Sequence, residues 1–313
     1  MHPALNFYST QNAKLTQMGP TRHFLALMAM ARNECPSYAE WLAHHRREGV
    51  QHFYIIDNNS SVRCDDELQR RDDVTVWHWE RRPSMERNAT SNQAAAYNHY
   101  IPRVRSEWVA IWDVDEFVFG SSNTTTIGSV LAEQPRSVRQ VCMPWLVFGS
   151  SGLVRQPSCM TAANTRRRSL SEWVGKCVQR TELIVDASIH RTVMANETYH
   201  RRNAGCVCGD GRRCSCCGHT GPSPSRACAQ YGAPAALVRQ KLRLHHYISQ
   251  SREHMALKSA VGEADLAHRV RNEHYWNRIE AISNTLEDTS LATRAVCRLD
   301  PHGGGSNGGS GTS

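Results

Sequence analysis

Residues 108–117 read Trp-Val-Ala-Ile-Trp-Asp-Val-Asp-Glu-Phe, and this stretch decides the fold. Its first five residues are all apolar, which is typical of a strand that is buried on both faces of a parallel sheet. Asp113 and Asp115 then end the strand. Because side chains alternate along an extended chain, both carboxylates face the same side, where they can share one hard divalent cation. The stretch therefore predicts a buried strand with a metal site at its carboxyl end, the alternative being an acidic turn.

Apolar runs and helical patterns alternate on both sides of this strand. The first helix is predicted between Ser37 and Gly49, where Ser37 and Glu40 have the spacing of a capping box. The other predicted elements of this half are strands at residues 24–31, 53–56, 74–79 and 140–148 and helices at 91–101 and 127–134. Strands that alternate with helices indicate parallel pairing with right-handed crossovers. The first 150 residues therefore indicate a Rossmann-like α/β half.

The second half of the chain is less regular. We predict strands at 176–185 and 242–248 and helices at 253–261 and 275–286. Taken together, the patterns favour an α/β fold with a mostly parallel sheet flanked by helices, in a single domain over residues 22–300. A loose lead-in is predicted over residues 1–21 and a flexible Gly/Ser tail over residues 301–313.

Charge and hydropathy restrict the class of partner. The chain has 313 residues, with 37 basic and 29 acidic side chains and a formal net charge of +8. The basic residues are spread along the chain, which favours a small anionic ligand over nucleic acid. The longest apolar runs have eight residues, whereas a membrane helix needs about 20, so we predict no membrane span. The chain as given is expected to be soluble, either in the cytoplasm or as the lumenal part of an anchored Golgi or endoplasmic reticulum protein.

The 12 cysteines fall into two sets of six. The members of the scattered set are Cys35, Cys64, Cys142, Cys159, Cys177 and Cys297. Several of them lie in apolar runs, where a cysteine is usually an inert, small apolar side chain. The second set lies in a Cys-rich insertion at about residues 204–230, between Cys206 and Cys228. A structural Zn²⁺ site is one hypothesis for this insertion, and disulfides or a disordered segment are the alternatives. Its ligands would come from Cys206, Cys208, Cys214, Cys217 and His219.

A series of motifs, in order along the chain, resembles glycosyltransferase family 92 and its family-2-like relatives. The motifs occupy residues 31–34, 40–41, 45, 49–50, 53–60, 93–99, 108–117 and 145–152, followed by Lys176, His246, Tyr247, Ser251 and Lys258. The resemblance covers about residues 22 to 262. It implies a GT-A-type fold and transfer of a hexose from a nucleotide-diphosphate sugar, UDP- or GDP-hexose, to a hydroxyl group of a glycan acceptor. It also implies an inverting reaction and a divalent metal, Mn²⁺ or Mg²⁺.

The resemblance also suggests roles for individual residues. It places Asp57 near the nucleotide base and ribose, and it assigns His246 to the metal site together with Asp113 and Asp115. The other implied nucleotide-sugar-binding residues are Arg32, Asn33, Glu34, Gln93 and Lys258. Purely structural alternatives are a turn cap for Asp57, a salt bridge between Arg32 and Glu34, and a solvent-exposed Lys258.

Two other functions and the catalytic base stay open. A sugar-nucleotide nucleotidyltransferase shares the α/β architecture, but it needs a glycine-rich phosphate loop where this chain has residues 32–36, Arg-Asn-Glu-Cys-Pro. A non-catalytic nucleotide- or carbohydrate-binding protein is the third hypothesis. An inverting transfer needs a base that deprotonates the acceptor. Glu172 is a weak candidate for that base, and an exposed helix-cap carboxylate is the alternative.

Overall fold

The computed structural model describes residues 22–80, 91–170, 175–190, 192–195, 205–212, 237–261 and 272–298. The strands are β1 (His23–Ala31), β2 (His52–Asp57), β3 (Val74–His78), β4 (Ser106–Ile111), β5 (Glu116–Gly120), β6 (Gln140–Phe148), β7 (Arg166–Arg167), β8 (Gly175–Arg180), β9 (Ile184–Asp186), β10 (Val193–Met194), β11 (Cys206–Cys208), β12 (Leu242–Tyr247) and β13 (Leu286–Glu287). The α-helices are α1 (Cys35–Arg47), α2 (Asp65–Gln69), α3 (Asn92–Tyr100), α4 (Ile127–Ala132), α5 (Met160–Ala163), α6 (Arg252–Val261) and α7 (Glu273–Ser283).

Four parallel strands form the part of the sheet that the sequence predicts best. β1 pairs with β2 and β4, and β2 pairs with β3, all in parallel. Along β1, Leu27 and Ala29 pack in one hydrophobic cluster with Trp41 of α1, whereas Met28 packs in another with Tyr97 of α3. Both faces of the sheet are therefore buried, which explains why these strands are apolar throughout. The predicted α/β class, with a mostly parallel sheet flanked by helices, is confirmed.

The sheet becomes mixed where the second half of the chain joins it. Its main path runs β13-β7-β6-β8-β4-β1-β2-β3, so β8 separates β4 from β6. β8 is antiparallel to both neighbours. β5, which the sequence analysis missed, leaves the Asp113–Asp115 turn at once and pairs antiparallel with β12. β12 in turn lies parallel to β6. We did not predict β5, because the charged turn leaves only four residues, 112–115, between β4 and β5.

The predicted capping box of the first helix is wrong. Helix α1 begins at Cys35, and the Ser37 hydroxyl donates to Glu34 Oε2 at 3.3 Å. Glu40 instead accepts hydrogen bonds from the backbone N–H groups of Met160 and Thr161, both at 2.9 Å. Its carboxylate thus serves the first turn of α5, about 120 residues away in sequence, where unpaired N–H groups need acceptors.

The interpretation of several scattered cysteines as inert apolar side chains is also wrong, because all six form disulfides. The pairs are Cys35–Cys64, Cys142–Cys177 and Cys159–Cys297. Spacing in the sequence does not reveal which cysteines pair, since the partners are 29, 35 and 138 residues apart.

The beginning of the Cys-rich insertion belongs to the central sheet. β11 pairs in parallel with β6, and Cys206 and Cys208 are buried there. Both are disulfide-bonded, so their sulfur atoms are not thiolate ligands for the hypothetical Zn²⁺ site. Cys214, Cys217 and His219 lie outside the described residues, as do Glu172, the lead-in over 1–21 and the tail over 301–313. None of the helices in the described ranges has the length and apolar character needed to span a bilayer.

Candidate functional site

The turn between β4 and β5 carries the acidic side chains of the candidate site. Asp113 and Asp115 lie in the turn, and Glu116 begins β5 with no exposed surface. Glu116 Oε2 accepts the backbone N–H of Asp113 at 2.8 Å, and Oε1 accepts the indole N–H of Trp145 at 2.5 Å. The carbonyl of Asp115 accepts the backbone N–H of Tyr247 at 2.9 Å. Strands β5, β6 and β12 therefore hold this turn in one conformation.

A buried lysine from β8 contacts two of these carboxyl groups. Lys176 Nζ lies 2.9 Å from Asp113 Oδ2 and 3.3 Å from Glu116 Oε2, and the side chain is 1% exposed. Burial disfavours its ammonium form, but the carboxylates of Asp113 and Glu116 outweigh this effect and raise the pKa of Lys176. Burial raises the pKa of Glu116 to about 7, although Lys176 opposes the shift.

His246 approaches the same turn from β12. It lies opposite Glu116 of β5 and Val147 of β6 in the strand registers. His246 Nε2 is 3.7 Å from Asp115 Oδ1, and its ring centroid is 4.3 Å from that of Trp145. Burial disfavours the imidazolium, but Asp115 more than offsets this and raises the pKa of His246. We call Asp113, Asp115, Glu116, Trp145, Lys176 and His246 the Lys176 cluster.

His190 lies at the edge of the Lys176 cluster. Its ring centroid is 5.0 Å from that of Trp145. Burial, with a smaller contribution from Lys176, lowers the pKa of His190 to about 3, so the ring is neutral. The sequence analysis gave no role to His190, Glu116 or Trp145. Glu116 and Trp145 had a usable signal, because they lie in the motifs at residues 108–117 and 145–152, whereas nothing in the sequence marked His190.

A second polar group lies at the ends of β1 and β2. Asn33 has a positive φ of 57°, and its Oδ1 accepts the backbone N–H groups of Ser61 at 2.9 Å and Val62 at 3.2 Å. Asp57 is 6% exposed and accepts the N–H of Ser60 at 3.2 Å, which is the turn-capping arrangement. His78 Nδ1 lies 3.7 Å from Asp57 Oδ2. We call Asn33, Asp57, Ser60, Ser61 and Val62 the Asp57 cluster.

The remaining predicted nucleotide-sugar-binding residues flank these two clusters. Gln93 donates through Nε2 to Asp113 Oδ1 at 3.3 Å, so it belongs beside the Lys176 cluster. Glu34 forms an ion pair with Lys258 of α6, in place of the alternative salt bridge with Arg32. Within the described part of the chain, the buried Nε of Arg32 has no hydrogen-bond partner. The predicted site residues that the structure describes thus lie in two groups, one around the turn between β4 and β5 and one around the ends of β1 and β2.

The donor atoms at this edge can be compared with the needs of a divalent cation. Ligands of Mg²⁺ lie ~2.1 Å from the metal, so two ligand atoms are at most ~4.2 Å apart. The 3.7 Å between Asp115 and His246 meets this limit. Asp113 does not join them in a compact set, because its Oδ2 contacts Lys176. Carboxylate oxygen and neutral imidazole both suit Mn²⁺ or Mg²⁺ when phosphate oxygens supply the other ligands.

One tighter group of potential ligand atoms exists among the described residues, but its chemistry does not suit a metal. Ligand atoms of Glu40, Cys159 and Cys297 lie within 4.8 Å of one another. The two sulfur atoms form a disulfide, and the carboxylate of Glu40 binds the first turn of α5. This group therefore has a structural role.

Comparisons with known proteins match about half of the chain. The family model of glycosyltransferase family 92 matches residues 35–207. A family 92 protein of Oryza sativa subsp. japonica is 32% identical over 167 residues, 47% of this chain and 26% of the relative. A family 92 protein of Arabidopsis thaliana is 25% identical over 199 residues, 57% of this chain and 31% of that protein. The matches thus span less than a third of these relatives' length.

Among solved structures, the crystal structure of S. aureus TarS covers 51% of this chain and 48% of its own. The TM-score is 0.33 and the sequence identity is 11%.

Proposed function

The chain belongs to glycosyltransferase family 92, as its motifs predict, and from this premise we propose that it transfers a hexose from a UDP- or GDP-hexose to a glycan hydroxyl group. The observation that carries the proposal is the Lys176 cluster. It places two aspartates, a histidine and a buried lysine at the carboxyl end of β4. In open parallel sheets this edge is where nucleotide ligands bind.

Metal dependence is part of the proposal. Asp115 and His246 would hold Mn²⁺ or Mg²⁺, and Asp113 stays a predicted ligand beside them. The bound cation would offset the negative charge that grows on the diphosphate as it leaves. The chain's own contribution is to hold the carboxylates in place before the donor arrives, through Trp145, Lys176 and the backbone contacts of the turn.

The Asp57 cluster is the proposed binding region for the base and ribose of the donor. It lies at the end of β2, two strands from β4 in the sheet. Arg32 Nε, buried without a hydrogen-bond partner in the described structure, is a donor suited to a phosphate or carboxylate oxygen. We propose an inverting reaction, and no described residue is assigned as its catalytic base.

The loop after β1 weighs against the nucleotidyltransferase alternative. Helix α1 begins at Cys35, directly after Arg32, Asn33 and Glu34. These three residues carry side chains, and Asn33 and Glu34 use them in contacts with Ser61, Val62 and Lys258. A phosphate-cradling loop needs glycines that let the backbone approach the phosphates, and this loop has none.

Nucleotide release from a panel of sugar nucleotides, with and without Mn²⁺, tests the proposed function. We expect UDP or GDP release that a chelator abolishes, and a loss of about a hundredfold in Asp115→Asn, since one group that stabilises developing charge is removed. Asp66→Asn, an exposed carboxylate of α2, is the matched control and should keep full activity. Release unaffected by chelator would refute metal dependence, and binding of a sugar nucleotide without turnover would favour a binding protein.

A further inference from the structure

Residues 149–152, which we call the β6 loop, follow β6 at the edge of the sheet that carries the Lys176 cluster. β6 is antiparallel to β8, and β8 is antiparallel to β4, so β4 and β6 end at the same edge. Val147 of β6 pairs in register with His246. Ser150 comes three residues later, which is about 10 Å along an extended chain. A donor hexose at the Lys176 cluster and an acceptor sugar beside it can together span this distance.

A carboxylate of α7 fixes the conformation of the β6 loop. Glu280 Oε1 accepts the backbone N–H of Ser150 at 3.0 Å and the hydroxyl of Ser249 at 2.6 Å. Its Oε2 accepts the hydroxyl of Ser150, and it accepts the side-chain amide of Asn284 at 2.9 Å. Hydrogen bonds to a carboxylate are about twice as strong as bonds between neutral groups. Glu280 therefore ties the β6 loop to the segment after β12 and to the end of α7.

Two residues of the β6 loop have a left-handed backbone, since φ is 56° at Ser151 and 82° at Gly152. This conformation is unfavourable for a serine, so surrounding contacts must hold it. Asn284 Oδ1 accepts the backbone N–H of Ser151 at 3.0 Å. The Ser151 hydroxyl accepts the N–H groups of Thr165 at 2.9 Å and Arg166 at 3.0 Å. A hydroxyl that accepts two hydrogen bonds can still donate its own hydrogen, so Ser151 can bind a hydroxyl group of a ligand.

The backbone of the β6 loop borders open space at Gly152. The residue is exposed, and a side chain added to it would have no atom of the described structure within 4 Å of its Cβ. A ligand can therefore approach the carbonyl group of Gly152 and the neighbouring hydroxyl of Ser151 from this space.

The order of the strands places this space on the acceptor side of the proposed donor site. The Asp57 cluster, proposed for the base and ribose, lies at the end of β2, and the acidic turn follows β4. β6 lies beyond β4 on the side away from β2. In an inverting displacement, the acceptor attacks the hexose from the face opposite to the leaving group. Because the nucleotide extends towards β2, the acceptor approaches from the side of β6.

We propose that the β6 loop binds the glycan acceptor, through the hydroxyl of Ser151 and the backbone of Gly152, and that Glu280 is a positioning residue for this loop. This inference rests on the proposed function and assigns its acceptor side. Sugar hydroxyl groups both donate and accept hydrogen bonds, so they suit a serine hydroxyl and a backbone carbonyl. Helix α7 then belongs to the acceptor site, although it lies outside residues 35–207, which the family model matches.

Substitution of Gly152 separates transfer to a glycan from hydrolysis of the donor. Transfer of labelled hexose from a UDP- or GDP-hexose to a mixed pool of glycans released from glycoproteins is measured beside nucleotide release in buffer alone. Gly152→Asn adds a side chain to the open space, and asparagine tolerates a positive φ. We expect the ratio of transfer to hydrolysis to fall at least about tenfold, because small changes to a fitted site cost this much.

Gly211→Asn is the matched control for this substitution. Gly211 also has a positive φ, of 79°, and open space beside it, but it lies in the turn after β11. The control should leave the ratio of transfer to hydrolysis unchanged. An unchanged ratio in Gly152→Asn, or an equal fall in both variants, would overturn the inference.

Glu280→Gln tests the positioning role. An amide nitrogen cannot accept a hydrogen bond, so one side of the new side chain loses its donors and the β6 loop shifts. We expect the apparent KM for the glycan pool to rise at least about tenfold, and the donor KM to rise much less. Glu287→Gln, which changes an exposed carboxylate of β13, is the control and should alter neither KM. If Glu280→Gln lowers transfer and hydrolysis equally, Glu280 only supports the fold and the positioning role is wrong.

The inference and the proposed function fail in different ways. If the wild-type chain transfers hexose to no glycan in the pool, the proposed glycan transfer is wrong and the inference falls with it. If transfer proceeds and Gly152→Asn leaves its ratio to hydrolysis unchanged, only the inference is wrong. If Glu280→Gln does not fold, the two glycine variants still decide the inference, because neither removes a side-chain contact.

Discussion

The Asp57 cluster and the Lys176 cluster lie at the same edge of one sheet, but different kinds of contact hold them. In the Asp57 cluster, Asn33 and Asp57 hold backbone N–H groups of the neighbouring loop, and the Cys35–Cys64 disulfide joins the same two loops over 29 residues. In the Lys176 cluster, the buried Lys176 forms an ion pair with Asp113, 63 positions away in sequence. Contacts between neighbouring loops therefore stabilise the Asp57 cluster, whereas a buried lysine from a distant strand stabilises the Lys176 cluster. Substitutions in the two clusters should therefore have different effects on stability, donor KM and maximal rate.

The largest expected effect is that of Lys176→Met on the Lys176 cluster. Breaking a buried ion pair by removing one partner costs about 3–5 kcal/mol of the free energy of unfolding. Chemical denaturation measures this loss. Lys241→Met is the matched control, because Lys241 and Glu133 form an ion pair with both side chains more than half exposed, worth less than about 1 kcal/mol. Equal losses in the two variants would mean that burial of Lys176 is not what matters.

Removal of the Cys35–Cys64 disulfide should come next. For a loop of about 30 residues, chain entropy predicts a loss of about 3.6 kcal/mol in the double variant Cys35→Ala/Cys64→Ala. Because this disulfide joins the two loops beside Asp57, the donor KM should rise more than the maximal rate falls. Steady-state kinetics of nucleotide release measures both. A fall confined to the maximal rate would show that the disulfide supports the Lys176 cluster instead.

Asp57→Asn should have a smaller effect, which is specific to donor binding. The change replaces the carboxylate by an amide of the same shape, so a charge-assisted hydrogen bond worth ~1.5 kcal/mol is weakened and the donor KM rises about tenfold. Asp115→Asn, in contrast, should act on the maximal rate. If Asp57→Asn reduces turnover while donor affinity stays intact, Asp57 only caps its turn.

The smallest effect, counted per pH unit, concerns acid stability beneath β5. His44 is 1% exposed and pairs with the carbonyl of Val118 at 2.8 Å, and burial lowers its pKa to about 3. The unfolded chain binds this proton near pH 6.5, so stability falls as pH drops from about 6.5 towards 3, by ~1.4 kcal/mol per pH unit. His44→Gln should flatten this slope in denaturation curves across that range. His99→Gln, an exposed change, should leave the slope unaltered.

Much of the fold could be predicted from local sequence. The predicted strand at 140–148 matches β6, and the predicted helix at 91–101 matches α3 with Ser91 as its N-cap. Such elements are visible because their apolar pattern and caps lie within a few residues of one another. The predicted capping box at Ser37 is wrong because Glu40, although it has the right spacing, accepts hydrogen bonds from the backbone of α5 instead.

The candidate site was predictable only in part. Asp113 and Asp115 stand out because two carboxylates after an apolar strand need an explanation, and the family motifs add His246 and Asp57. Their proposed roles stay predictions until they are tested. The family motifs include Trp145 and Lys176 but do not indicate what these residues contact. Their contacts with the turn, and the position of His190 beside Trp145, join residues that are far apart in sequence, so local patterns do not predict them.

The amino-acid sequence alone was enough for the four parallel strands, the family and the acidic turn, because periodicity and motif order are local properties of a chain. Only the tertiary structure decided which side chains meet there. β8 lies between β4 and β6, and β12 pairs with β5 and β6, so Lys176 and His246 reach the turn from two different strands. Burial then makes these long-range charge contacts strong, because water no longer screens them.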